Sequence, residues 1–117
     1  MLNSYTILAY EDLVGHSLSD MAHAERVVIF SSGITDMRMI MKFLAERGIP
    51  FKVIEMEMGN VRNRAAFREL CRMTGWNLLP QIFIGGNFIG GLDEFFEHPA
   101  IISNYHMNSR PDEETLQ

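Results

Sequence analysis

The stretch Leu79-Pro80-Gln81-Ile82-Phe83-Ile84-Gly85-Gly86-Asn87-Phe88-Ile89-Gly90-Gly91-Leu92-Asp93 decides the fold. Gln81 to Ile84 is short, apolar and β-branched, and Phe88-Ile89 resumes that character after Gly85-Gly86-Asn87, whose residues tolerate positive φ. That pattern predicts a β-hairpin. Gly90-Gly91 then leads into a helix with Leu92, Phe95 and Phe96 on its apolar face and Asp93 as the expected cap. Pro80 stands at the mouth of the first hairpin strand, where its missing N–H harms no ladder. A cis bond there would turn the Leu79 N–H and C=O outward, ready to pair with an extended peptide; a trans proline would simply start the strand.

Upstream, Val27 to Phe30 is a continuous apolar run, as a central strand covered on both faces requires. Ser31-Ser32-Gly33 breaks it. Met37, Ile40, Met41 and Leu44 then form one helical stripe with Thr35 or Asp36 as cap and Arg47-Gly48 as the stop. Phe51 to Met58 reads as a strand, buried at first and half-exposed at its end. Asn60 caps a further helix carrying Ala66, Phe67, Leu70, Cys71 and Thr74 on its apolar face, stopped by Gly75. Ser17 to Glu25 has helical spacing through Leu18, Met21 and Ala22. A helix between the Val27 and Phe51 strands makes them parallel neighbours.

The hairpin run Leu79 to Ile84 with the following Gly-Asn-Phe-Ile-Gly-Gly-Leu-Asp resembles the cis-proline hairpin and glutathione-site signature of glutaredoxins, and Val27-Val28-Ile29-Phe30-Ser31 resembles their first core strand. The resemblance covers roughly residues 18–97. It implies an α/β, thioredoxin-like fold: a four-stranded mixed sheet flanked by helices, with Pro80 in the cis form before the third strand. The expected organisation is an N-terminal arm over residues 1–15, a glutaredoxin-like domain over 16–107 and a polar tail over 108–117.

In glutaredoxins the loop between the first core strand and its helix carries a nucleophilic cysteine, whose pKa is lowered by the helix N-terminus. Here that position falls on Thr35 or Ile34, and the second dithiol position on Met37 or Arg38. None is cysteine. A hydroxyl with no neighbouring base cannot replace a thiolate, and cluster bridging needs a thiolate at the same place. Cys71, the single cysteine, sits on an apolar helix face and reads as buried and inert. No catalytic residue is assigned.

The Ser31-Ser32-Gly33-Ile34-Thr35 loop, with Phe43-Leu44, Leu79 to Phe83 and Asp93-Glu94-Phe95-Phe96-Glu97, is also similar to the SH3-binding glutamic-acid-rich-like proteins, glutaredoxin relatives regarded as redox-inactive interaction modules. This chain lacks their Pro-x-x-Pro near Pro80, and its Pro111-Asp112-Glu113-Glu114 run is short. On matching positions the groove candidates are Ser32, Thr35, Leu79, Pro80, Gly91, Leu92 and Asp93. Ser32 stands where many glutaredoxins have a lysine and Leu78 where they have a threonine, so the resemblance implies weak glutathione binding or none. It implies no required cofactor.

The function expected is therefore a redox-inactive protein-interaction module. The alternative is a glutathione-dependent thiol–disulfide oxidoreductase, or a glutathione-binding protein, drawing its thiol from Cys71 or a partner. The net charge of −5 over 117 residues disfavours nucleic acid, and the Arg62, Arg64, Arg68 and Arg72 cluster has only Phe67 within it, on the apolar face of the helix. One cysteine and an N-terminus without a basic or long apolar run fit a cytoplasmic protein with no membrane association. His98 and His106 alone make no metal site.

Overall fold

A computed structural model describes residues 5–103. The expected tail over 108–117, residues 1–4 of the expected arm, and His106 lie outside the described residues.

One sheet organises the chain, with five strands in the order β1-β3-β2-β4-β5. They are β1 (Tyr5–Ala9), β2 (Val27–Ser31), β3 (Phe51–Glu55), β4 (Gln81–Ile84) and β5 (Asn87–Gly90). β3 pairs parallel with both β1 and β2, whereas β4 pairs antiparallel with β2 and with β5. The mixed sheet is thus as expected, but with one strand more. Tyr5–Ala9 lies within the stretch read as an arm, yet it forms an in-register edge strand, so Pro80 precedes the fourth strand rather than the third.

β2 is the hub because every one of its residues is buried. Alternate side chains feed two cores. On one face Val27, Ile29, Phe51, Val53 and Ile82 pack with Ile40, Phe43 and Leu44 of α2 (Arg38–Glu46) and Phe95 of α4 (Leu92–Glu97). On the other face Val28, Phe30, Ile54 and Phe83 meet Leu18 and Met21 of α1 (Leu18–Ala22) and Ala66 and Leu70 of α3 (Val61–Thr74).

The helix ends show their local chemistry. Ser17 Oγ accepts the Asp20 N–H at 3.0 Å and Asn60 Oδ1 the Asn63 N–H at 3.1 Å, capping α1 and α3. Gly75, at φ 76°, closes α3 in the left-handed region that glycine adopts without penalty. Two caps differ from the sequence reading. Met37, not Thr35 or Asp36, is the N-cap of α2; the Asp36 carboxylate instead accepts the Arg38 N–H at 3.1 Å. Gly91, not Asp93, is the N-cap of α4, because Glu94 reaches back to accept the Gly91 N–H at 3.0 Å. The hairpin turn has Gly85 and Gly86 both at positive φ, as a two-residue primed turn requires.

Candidate groove at the carboxyl end of the sheet

The sheet topology gathers the candidate residues at one end. Phe30 pairs with Gln81 and Ile82 with Gly90, so the loop leaving β2, the residues entering β4 and the residues leaving β5 converge. This is the carboxyl end of the parallel strands, where open α/β sheets commonly bind ligands.

The Leu79–Pro80 peptide bond is cis. Among the described residues the Leu79 main chain makes no hydrogen bond. An ideal Cβ on Gly91 would lie 3.6 Å from the Pro80 carbonyl oxygen and 3.9 Å from Trp76 Cζ2, so the structure brings Pro80 and Gly91 together with an indole as the third wall. Trp76 in turn meets Phe88 edge-on, with ring centroids 5.7 Å apart.

Gln81 holds this wall in place. Its side chain is fully buried, donates through Nε2 to the Trp76 carbonyl at 2.8 Å, and lies 2.8 Å from the Thr74 hydroxyl through Oε1. The Thr74 hydroxyl accepts the Trp76 N–H at 3.2 Å. A buried amide satisfied at both ends fixes the chain that runs from α3 to Pro80. Sequence reading passed over Gln81 and Trp76; a glutamine in an otherwise apolar strand was the available signal.

The loop entering α2 is held by its own hydroxyls. Ser31 Oγ accepts the Gly33 N–H at 3.3 Å, Ser32 Oγ accepts the Ile34 N–H at 3.4 Å, and Ser32 Oγ lies 3.3 Å from Thr35 Oγ1. Gly33 has φ 88°, and Ile34 at the tip is 92% exposed. Asp36 and Arg38 form a bidentate pair at 2.9 and 2.8 Å, and the hydrogen bonds from Arg38 hold the Asp36 carboxyl well below the usual carboxylate range. Ser32, Gly33 and Ile34 also line a cavity of about 320 Å³ shared with Glu11, Glu55 and Glu57.

Leu92 and Asp93 begin α4 directly after Gly91. The Gly91 N–H, which an incoming carboxylate could have taken, is already bound by Glu94, and Asp93 adds a second acidic side chain to this first turn. An anion is therefore poorly served at this end of the groove.

Cys71 is half-buried on α3, with Sγ 3.9 Å from Gln81 Nε2. Burial pushes its thiol pKa up, with the Gln81 amide opposing. It belongs to the support behind the groove. Among the described residues no group of three or more His, Cys, Asp or Glu could hold a metal ion.

The Glutaredoxin family profile matches residues 37–89, from the start of α2 through the hairpin. The chain contains a domain similar to glutaredoxins. This domain is 40% identical over 67 residues to mitochondrial glutaredoxin-2 of Rattus norvegicus, covering 56% of this chain and 41% of that protein. It is 35% identical over 82 residues to monothiol glutaredoxin-S10 of Oryza sativa subsp. japonica, covering 69% and 48%. The chain spans less than half the length of the curated relatives it matches. The thioredoxin-like glutaredoxin fold is matched by the holo form of glutaredoxin C1 from Populus tremula x tremuloides, with TM-score 0.62 at 24% identity over 78% of this chain and 93% of that one. It is also matched by a buckwheat glutaredoxin–glutathione complex, with TM-score 0.62 at 22% identity over 76% and 84%. The profile match begins just after the Ser32–Asp36 loop, the segment in which glutaredoxin-like chemistry needs its thiol.

Proposed function

We propose that this chain is a redox-inactive, glutaredoxin-like protein-interaction module of the cytoplasm, related in its Ser-Ser-Gly loop to the SH3-binding glutamic-acid-rich-like proteins. One observation carries the reading. The loop leading into α2 presents hydroxyls and an exposed Ile34 where exchange chemistry requires a thiolate. The remaining thiol, Cys71, is driven toward its protonated form by burial.

Two features suit a protein partner. Ile34 is a large apolar side chain standing almost wholly in solvent at a loop tip. At the same end of the sheet, the Leu79 main chain, unpaired among the described residues, can accept an extended segment as a strand would. Comparing capture of cytosolic proteins by wild type, Ile34→Asp and Gly91→Leu tests this. Binding lost in either variant, with the fold intact, supports the module; the same partners bound by all three would contradict it.

The second reading is a glutathione-binding protein, with exchange chemistry only if a thiol comes from Cys71 or a partner. The approach of Gly91 to Pro80 and Trp76 favours it, since that space suits a peptide-like ligand, and the buckwheat relative was solved with glutathione. Against tight binding stand Glu94 on the Gly91 N–H and Ser32 at the usual lysine position.

A further inference from the structure

The two edges of the sheet are built differently. β5 is four residues long, ends in Gly90 and carries an irregular register against β4, features that discourage further pairing. β1 has none of them. Its sequence Tyr5-Thr6-Ile7-Leu8-Ala9 is uncharged, contains no proline or glycine, and pairs with β3 in regular register. Among the described residues its other side is unpaired. Tyr5 and Ile7 remain 46% and 49% exposed on the face where Tyr5 stacks on Phe51 at 5.0 Å.

We propose that this edge of β1 pairs antiparallel with β1 of a second copy of the chain, joining two sheets across a twofold axis at Ile7. The strand is self-complementary in that register. Ile7 meets Ile7 of the second copy, each Tyr5 lies opposite the small Ala9, and each Thr6 lies opposite Leu8. The Phe51 and Val53 rows then continue without a break through Tyr5 and Ile7 into the second copy.

Charge selects the direction. Glu11 and Glu55 stand at the Ala9 end of β1, while its Tyr5 end meets uncharged Phe51. Lys52 pairs with Thr6 near that end, so antiparallel pairing sets the acidic end of each copy against the end of the other that carries Lys52, whereas parallel pairing would put the carboxylates side by side. A twofold axis through Ile7 and perpendicular to the strand makes the two copies antiparallel and the interface isologous. The inference does not depend on the reading of the groove.

Sedimentation of the full chain from micromolar to millimolar concentration tests it. The mass should rise toward twice that of one chain, and Ile7→Lys, which faces two ammonium groups across the axis, should return it to one chain with an unchanged circular dichroism spectrum. A second arm uses Ile7→Cys in a Cys71→Ser background, oxidised with diamide. A disulfide-linked pair should form far faster than in a Met39→Cys, Cys71→Ser control, where the thiol stands on exposed α2. A wild-type chain that stays monomeric throughout overturns the proposal, including the case in which residues 104–117 occupy the edge. So does a dimer that survives Ile7→Lys, or equal crosslinking at positions 7 and 39.

Discussion

The Gln81 side-chain amide donates to the Trp76 main-chain carbonyl at 2.8 Å, across the turn that carries Pro80. Its other end meets the Thr74 hydroxyl at 2.8 Å, so one buried side chain joins the end of α3, the Trp76 wall and the first residue of β4. Gln81→Leu would leave the Trp76 carbonyl without this donor, while the Thr74 hydroxyl keeps the Leu70 carbonyl as an acceptor at 3.1 Å. The expected loss is about 1–3 kcal/mol for the group left unsatisfied. Urea unfolding measures it, and amide shifts should move at 74–80 more than in β1.

Gly86 lies beneath His23. A Cβ there would fall 2.2 Å from the imidazole, and φ is 84°. Gly86→Ala should therefore destabilise by ~1–2 kcal/mol from the backbone alone, plus whatever the ring must yield. Combining it with His23→Ala should recover the steric part only. A double-mutant cycle separates the two.

The caps offer a comparison of local with supported structure. Asn60→Ala removes the acceptor for the Asn63 N–H at the start of α3 and should lower stability by about 1 kcal/mol. Asp93→Ala should change stability far less, because Gly91 and Glu94 form that cap. Thermal unfolding of both variants checks the order.

Asp36 has its carboxyl pKa lowered, first by the side-chain hydrogen bonds from Arg38. A depressed folded value means that its contribution to stability is present above the ordinary carboxylate range and is lost as the pH falls through the folded value. The pair is exposed, so the effect should be small and screened by salt. Carbon-detected titration should find Asp36 still ionised below the usual carboxylate range, and Arg38→Ala should raise its pKa back toward that range.

Much of this fold is legible in the sequence because its signals are local. Ile40, Phe43 and Leu44 mark α2 by spacing alone, and Gly85-Gly86 names its turn. β1 escaped because Tyr5 to Ala9 has no turn signal linking it to a neighbour; its strand state comes from pairing with β3, far along the chain. The site divides in the same way. Ser32, Thr35, Pro80 and Gly91 are groove candidates by motif, whereas Gln81 and Trp76 enter through contacts that only the folded chain creates. Glu94 took the capping role from Asp93 by reaching back across one turn, a competition between adjacent acids that sequence leaves open.

Glutathione binding should be weak. Each charged contact removed, such as the lysine replaced at Ser32, takes away roughly 1.5–3 kcal/mol, so two losses carry a micromolar site into or beyond the millimolar range. Amide shifts during a glutathione titration should be small and unsaturated at Leu79, Gly91, Leu92 and Asp93. Tight, saturable shifts there would favour a true glutathione protein.

The central claim is that the fold is kept while thiol–disulfide exchange is not. Glutathione-dependent reduction of a small mixed disulfide tests it most directly. Wild type should give no turnover above the protein-free blank, and Thr35→Cys, placing a thiol three residues before α2, should give measurable turnover. Wild-type turnover above the blank, abolished by Cys71→Ser, would contradict the account.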